Sequence, residues 1–135
     1  MNTETLSKPF PAFPMHTLPG DTRTVEHGPF TIRATIHADD LATPEDLFTP
    51  EGIAEWRCGT WLFVGVVLSV WVDDICLDDH AASLWAIPCN VPTDDNSYLS
   101  ECANELLPEA LEAAEKAGRV LVEKLTETQQ SLETN

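Results

Sequence analysis

Hydrophobic and polar positions first fall into a regular order at Phe30. Ile32, Ala34 and Ile36 lie on one side of an extended chain, and Thr31, Arg33, Thr35 and His37 on the other. This is the two-residue period of a half-buried strand. Residues 61–72 carry the strongest signal. Leu62, Val64, Val66, Leu68, Val70 and Val72 form one unbroken apolar face, and Trp61, Phe63, Gly65, Val67, Ser69 and Trp71 form a second, mostly apolar one. Such a strand belongs at the centre of a sheet with both faces covered. Asp73-Asp74 predicts a tight turn. Ile75, Leu77 and residues 82–87 return antiparallel, with Asp78-Asp79-His80 as a bulge between them. Pro88 and Pro92 are expected to end the sheet.

Beyond the cluster Asp94-Asp95-Asn96-Ser97, a set of N-capping residues, the period changes. Leu99, Ala103, Leu106, Ala110, Ala113, Ala117, Val120 and Leu125 recur at helical spacing. The spacing predicts a long helix to about Leu125 that frays into a polar tail. Pro108 cannot donate to the carbonyl of Asn104, so a kink or break is expected there. Two further helix starts, Thr43-Pro44 and Thr49-Pro50, set a capping hydroxyl before a proline at the first helical position. The second is expected to run to about Trp56 and to end at Gly59.

Residues 1–29 hold five of the ten prolines, which rules out a regular helix or a central strand. They form either a flexible tail or an extended arm that lays Phe10, Phe13, Met15 and Leu18 on an apolar surface. The expected organisation is therefore a Pro-rich arm (1–29), a single domain (30–125) and a polar tail (126–135). The expected fold is α+β: a small antiparallel sheet of three to four strands packed against a long, kinked C-terminal helix.

Charge changes this picture from architecture to partner. Twenty-three acids against seven bases give a net charge of −16, a field that repels nucleic acid and anionic membrane and speeds encounter with basic surfaces. The same field also fits plain solubility or adaptation to salt. The apolar run at residues 61–72 is shorter than the roughly 20 residues a spanning helix needs. No basic segment followed by an apolar one opens the chain, so the expectation is a cytoplasmic protein with its four cysteines reduced and buried.

Candidate chemistry is sparse. Cys58, Cys76, Cys89 and Cys102 form no C-x-x-C pair, and His16, His27, His37 and His80 stand apart. No nucleophile elbow, H-E-x-x-H or phosphate loop occurs, so neither an enzyme nor a cofactor is expected. Glu101, Glu105, Glu109 and Glu112 are spaced four, four and three residues apart. They share one side of the helix and repeat about every 6 Å along it, close to the phosphate spacing of a nucleic-acid strand. Asp94 and Asp95 extend the row. Asp73, Asp74, Asp78 and Asp79 form a second acidic patch without a base. They lack the alternating ligands and the glycine of a calcium loop, so no metal is expected. The four tryptophans are core residues, or interface anchors should Trp61 and Trp71 share an exposed face.

The run EWRCGTWLFVGVVLSVWVDD, then ASLWAIP and DNSYLSECANELLPEALEAA, loosely resembles small acidic proteins of bacteriophages and bacterial accessory regions. Those proteins pair a Trp-bearing hairpin with an acidic C-terminal helix. The resemblance covers residues 56–117 and implies a setting of host-defence inhibitors, DNA mimics and immunity proteins. It brings no functional residue with it. The resulting expectation is a non-catalytic binding protein whose ten named acids dock on a basic protein surface, such as that of a nuclease or another nucleic-acid-binding protein, and inhibit it. Direct contact with nucleic acid or membrane is not expected. The alternative is a dimeric adaptor whose helices pair through Leu99, Leu106, Ala110, Ala117 and Leu125, with the acids serving solubility.

Overall fold

The computed structural model describes residues 9–44 and 48–133. Its elements are β1 (Thr22–His27), β2 (Phe30–Ala38), α1 (Pro50–Arg57), β3 (Leu62–Val72), β4 (Ile75–Cys89) and α2 (Ser97–Glu133). The strands form one antiparallel sheet in the order β1-β2-β3-β4, and α2 packs across one of its faces, an α+β architecture. The even-numbered residues of β3 meet α2. Its odd-numbered residues fill the other face, which explains why both sides of this strand are apolar.

β4 needs 15 residues to pair with the 11 of β3. The surplus is absorbed where the register shifts, between Val64 and Val66, Leu68 and Val70, and Val70 and Trp71. Such bulges bend and twist an edge strand and so discourage pairing with a foreign strand. The predicted bulge at Asp78 is one of them. A second turns at Ala86, whose φ is 61° and whose N–H donates to Asp39 Oδ2 at 2.9 Å. Pro88 does not end the sheet as expected: it lies within β4, opposite Phe63. An edge strand tolerates a residue without an N–H because one side of its ladder is unpaired.

Pro108 lies inside α2, which continues through it. Of the kink or break expected there, the break does not occur, and the helix runs to Glu133 where fraying was expected from Leu125. The stripe Leu99, Cys102, Ala103, Leu107, Ala110 and Ala114 is buried against Ile32, Val64, Val66, Leu68, Val70 and Ile87. Each large apolar side chain so buried contributes roughly 1.5–3 kcal/mol, which holds this part of the helix together across the missing hydrogen bond at Pro108. Ahead of β3, α1 starts as predicted, with Thr49 Oγ1 accepting from the Gly52 N–H at 3.1 Å. The helical turn expected after Thr43-Pro44 falls on residues 45–47, outside the described residues.

Residues 9–29 are part of the domain, not a free tail. Residues 22–27 form β1, an edge strand whose only buried residue is Val25. Upstream, Phe10 and Phe13 are buried in the same core as α2. Their amides donate to Asn104 Oδ1 (2.7 Å) and Ser100 Oγ (3.1 Å) on that helix. Met15 and Leu18, the other expected contacts, are exposed. A buried polar knot closes the arm. Asn96 Nδ2 donates to Met15 O and Asn90 Oδ1, both at 2.8 Å. The Asn90 N–H donates to Asn96 Oδ1 at 2.8 Å, and the Thr17 N–H to Asn90 Oδ1 at 2.9 Å.

Candidate protein-binding surface

Glu101, Glu105, Glu109 and Glu112 are all exposed on α2, opposite its sheet-facing stripe. At about 100° per residue they fall within roughly 40° of one another's mean direction. Because the helix is unbroken at Pro108, they form one row. None of the four makes an ion pair or hydrogen bond among the described residues. Lys116 and Arg119 lie on the same side, so the sign of the surface changes at the end of the row. Tyr98 extends it at the other end, a contribution that the search for acids overlooked. Tyr98 holds its phenol proton more tightly than usual, first through its hydrogen bond with Cys102 and further through the charges of Glu105 and Glu101.

Asp94 and Asp95 stand just before the helix and are exposed. Asp95 Oδ1 accepts from the Ser97 N–H at 2.9 Å, and this bond holds its carboxyl below the usual range. Asp95 is thus a helix-capping residue as well as a surface charge. The hairpin acids are elsewhere. β3 pairs Leu62 with Cys89 at one end and Val72 with Ile75 at the other, about 33 Å away for a strand of this length. Asp94 and Asp95 follow the Cys89 end, whereas Asp73 and Asp74 form the turn at the far end. Asp79 is exposed, and Asp78 is half-buried and accepts from the His80 N–H at 3.0 Å. Asp94 and Asp95 therefore stand at the start of the helical row, at the opposite end of the strands from the Asp73-Asp74 turn.

Trp56 belongs to α1, whereas Trp61, Trp71 and Trp85 lie on the sheet face that α2 leaves open, in different states. Trp61 is buried beneath Phe48 (ring centroids 4.7 Å apart) and donates to Gly52 O at 2.9 Å. Further along, Arg33 stacks on Trp71 at 4.4 Å, and the Trp71 indole donates to Ser69 Oγ at 2.8 Å. Trp85, 42% exposed, lies flat on Gly65, where a β-carbon would overlap its ring.

Among the described residues no three potential metal ligands lie together. Cys58 and Cys76 are exposed, against the expectation that all four thiols are buried, while Cys89 and Cys102 are buried. Burial, aided by Asp21 and Asp94, pushes the Cys89 thiol up to about 11. Burial likewise raises Cys102. These are poor nucleophiles. No helix among the described residues is long and apolar enough to cross a membrane. No protein-family model, curated protein or solved structure matches the chain.

Proposed function

We propose that the protein is a non-catalytic acidic binding protein whose α2 face docks on a basic, nucleic-acid-binding protein surface and blocks it. One observation carries this reading: the continuous helix presents Glu101, Glu105, Glu109 and Glu112 as an exposed row with which no base forms an ion pair among the described residues. Like charges at such spacing cost a helix a few tenths of a kcal/mol per pair. A row kept at that cost, at a spacing of about 6 Å, suits a cleft built for phosphates. Tyr98 supplies an aromatic anchor at its end.

The test is capture of cellular proteins on the immobilised chain, beside a variant with all four glutamates changed to lysine. The expected partner is retained by the parent chain only, is released by salt because exposed charges are screened within about 8 Å at physiological ionic strength, and is displaced by duplex DNA. A partner held equally by the variant, or indifferent to DNA, refutes the reading.

A further inference from the structure

The sheet-facing stripe of α2 does not stop where the sheet does. Ala114 is its last fully buried residue. At Gly118 the helix passes Phe30, whose Cζ would lie 3.0 Å from a β-carbon there, and then projects alone to Glu133. The same stripe continues along the projection as Leu121, Val122, Leu125 and Leu132. Val122, Leu125 and Leu132 are 63%, 60% and 72% exposed. A free helix of this length, about 20 Å, is marginal in water, so it needs a cover.

We propose that the cover is a second copy of the chain, bound antiparallel about a two-fold axis at Leu125. Three observations point to self-pairing. First, the positions within about 60° of Leu125 are Gly118, Leu121, Val122, Thr128, Gln129 and Leu132, and none is charged. Glu123 and Glu127 point directly away from this seam. Second, the projection is close to neutral in an otherwise acidic molecule. Within residues 115–133, Glu115, Glu123, Glu127 and Glu133 stand against Lys116, Arg119 and Lys124, a net charge of −1 out of the chain's −16, so two chains meet here with little local repulsion, whereas a basic partner would select the glutamate row.

Third, the surface is self-complementary. Gly118 and Leu132 are each seven residues from Leu125, so antiparallel pairing places Leu132 of one copy over Gly118 of the other. Beside that point lies an open groove of about 560 Å³ whose apolar wall is Phe30, Gly118 and Val122 and whose charged wall is Glu115, Arg119 and Glu123. Phe30 fills the space beside Gly118, so Leu132 of the other copy packs on the wall made by Phe30 and Val122, the same patch serving both subunits as a two-fold axis requires. A pair of short helices lies at the small end of stable interfaces, so the dimer forms with micromolar affinity. This inference does not rest on the proposed function of the acidic face.

Sedimentation velocity of the full chain across a concentration series, from low to several hundred micromolar, tests it. A monomer–dimer equilibrium is expected. Leu125→Glu should weaken it by roughly a hundredfold, since it buries two unpaired carboxylates on the axis. Its thermal midpoint at low concentration should match the parent's, because Leu125 is mostly exposed within its own chain. Orientation is read in a Cys58→Ser, Cys76→Ser background. There, Leu125→Cys should form an intersubunit disulfide, whereas Leu132→Cys should not, because the two Leu132 positions lie at opposite ends of the pair. A monomer throughout, a dimer untouched by Leu125→Glu, or ready cross-linking of Leu132→Cys overturns the proposal.

Discussion

Asn96 offers the sharpest test of how the arm is held. Its side chain is almost fully buried, and its backbone is left-handed, with φ at 63°. Changing it to alanine acts twice. The Asn90 N–H loses its acceptor, and Met15 O and Asn90 Oδ1 lose a donor. A buried polar group left unsatisfied costs about 1–3 kcal/mol. A side chain without asparagine's local hydrogen bonding in the left-handed region adds about 1–2 kcal/mol. Asn96→Ala should therefore destabilise the domain by about 3 kcal/mol, a large share of the 5–15 kcal/mol typical of a small protein. Asn96→Gly removes the same hydrogen bonds but accepts the backbone angle, so it should recover about 1 kcal/mol of that loss. Urea denaturation followed by tryptophan fluorescence reads both, with comparable slopes required before midpoints are compared. Limited proteolysis should show cleavage within residues 9–20 in both variants before the sheet is cut. If the two variants are equally stable, or if both lose less than about 0.5 kcal/mol, the knot does not hold the arm and the reasoning fails.

Ala86 sits in the left-handed region at φ 61° with its N–H bonded to Asp39, so Ala86→Gly should raise stability by about 1 kcal/mol, measured in the same assay. Gly65→Ala should act in the opposite direction by about 1–3 kcal/mol and should shift tryptophan emission, because the new methyl displaces the Trp85 ring. Thiol titration of the native protein should show Cys58 and Cys76 reacting fast and Cys89 and Cys102 only on unfolding. The Cys89 thiol titrates at about 11 in the fold against 9.0 for an ordinary thiol. Above pH 9 the unfolded chain therefore sheds a proton that the fold retains, and stability falls between about pH 9 and 11. Cys89→Ala should flatten that fall in denaturation midpoints recorded against pH.

What could be read from the sequence depended on how densely each element buries apolar side chains. β2, β3 and the first half of α2 bury an alternating or helical stripe without gaps, and their periods were plain. β1 buries only Val25 and carries threonines on its other side, so an edge strand looked like part of a proline-rich arm. Phe10 and Phe13 were candidates for an arm laid on an apolar surface, but nothing local chose that arm over a flexible tail, because their place in the core exists only after α2 has been laid across the sheet. Pro88 was misjudged for a related reason: β4 is an edge strand, and that is a property of sheet order rather than of local sequence. The end of α2 was set too early because Leu125 and Leu132 are diluted among Thr126, Thr128 and Gln129. The glutamate row was visible from spacing alone. The placing of Asp94 and Asp95 at the opposite end of the sheet from Asp73 and Asp74 was not, since the end at which α2 begins follows from the chain's return along β4.

The two proposed surfaces occupy opposite sides of one helix, and this constrains how they work together. Leu125 points about 160° away from Glu105 by helical rotation. Pairing of two chains would therefore leave each acidic row uncovered. An antiparallel pair would carry the rows outward from its axis, one on each domain. Two basic sites on one target could then be engaged together, the second at raised effective concentration. The forces at the two surfaces respond to salt in opposite ways. Screening weakens attraction between the glutamate row and a basic cleft, but it also weakens repulsion between two chains of net charge −16. Rising ionic strength should therefore release the partner while tightening the dimer. A common origin of both associations in the acidic surface would move them in the same direction.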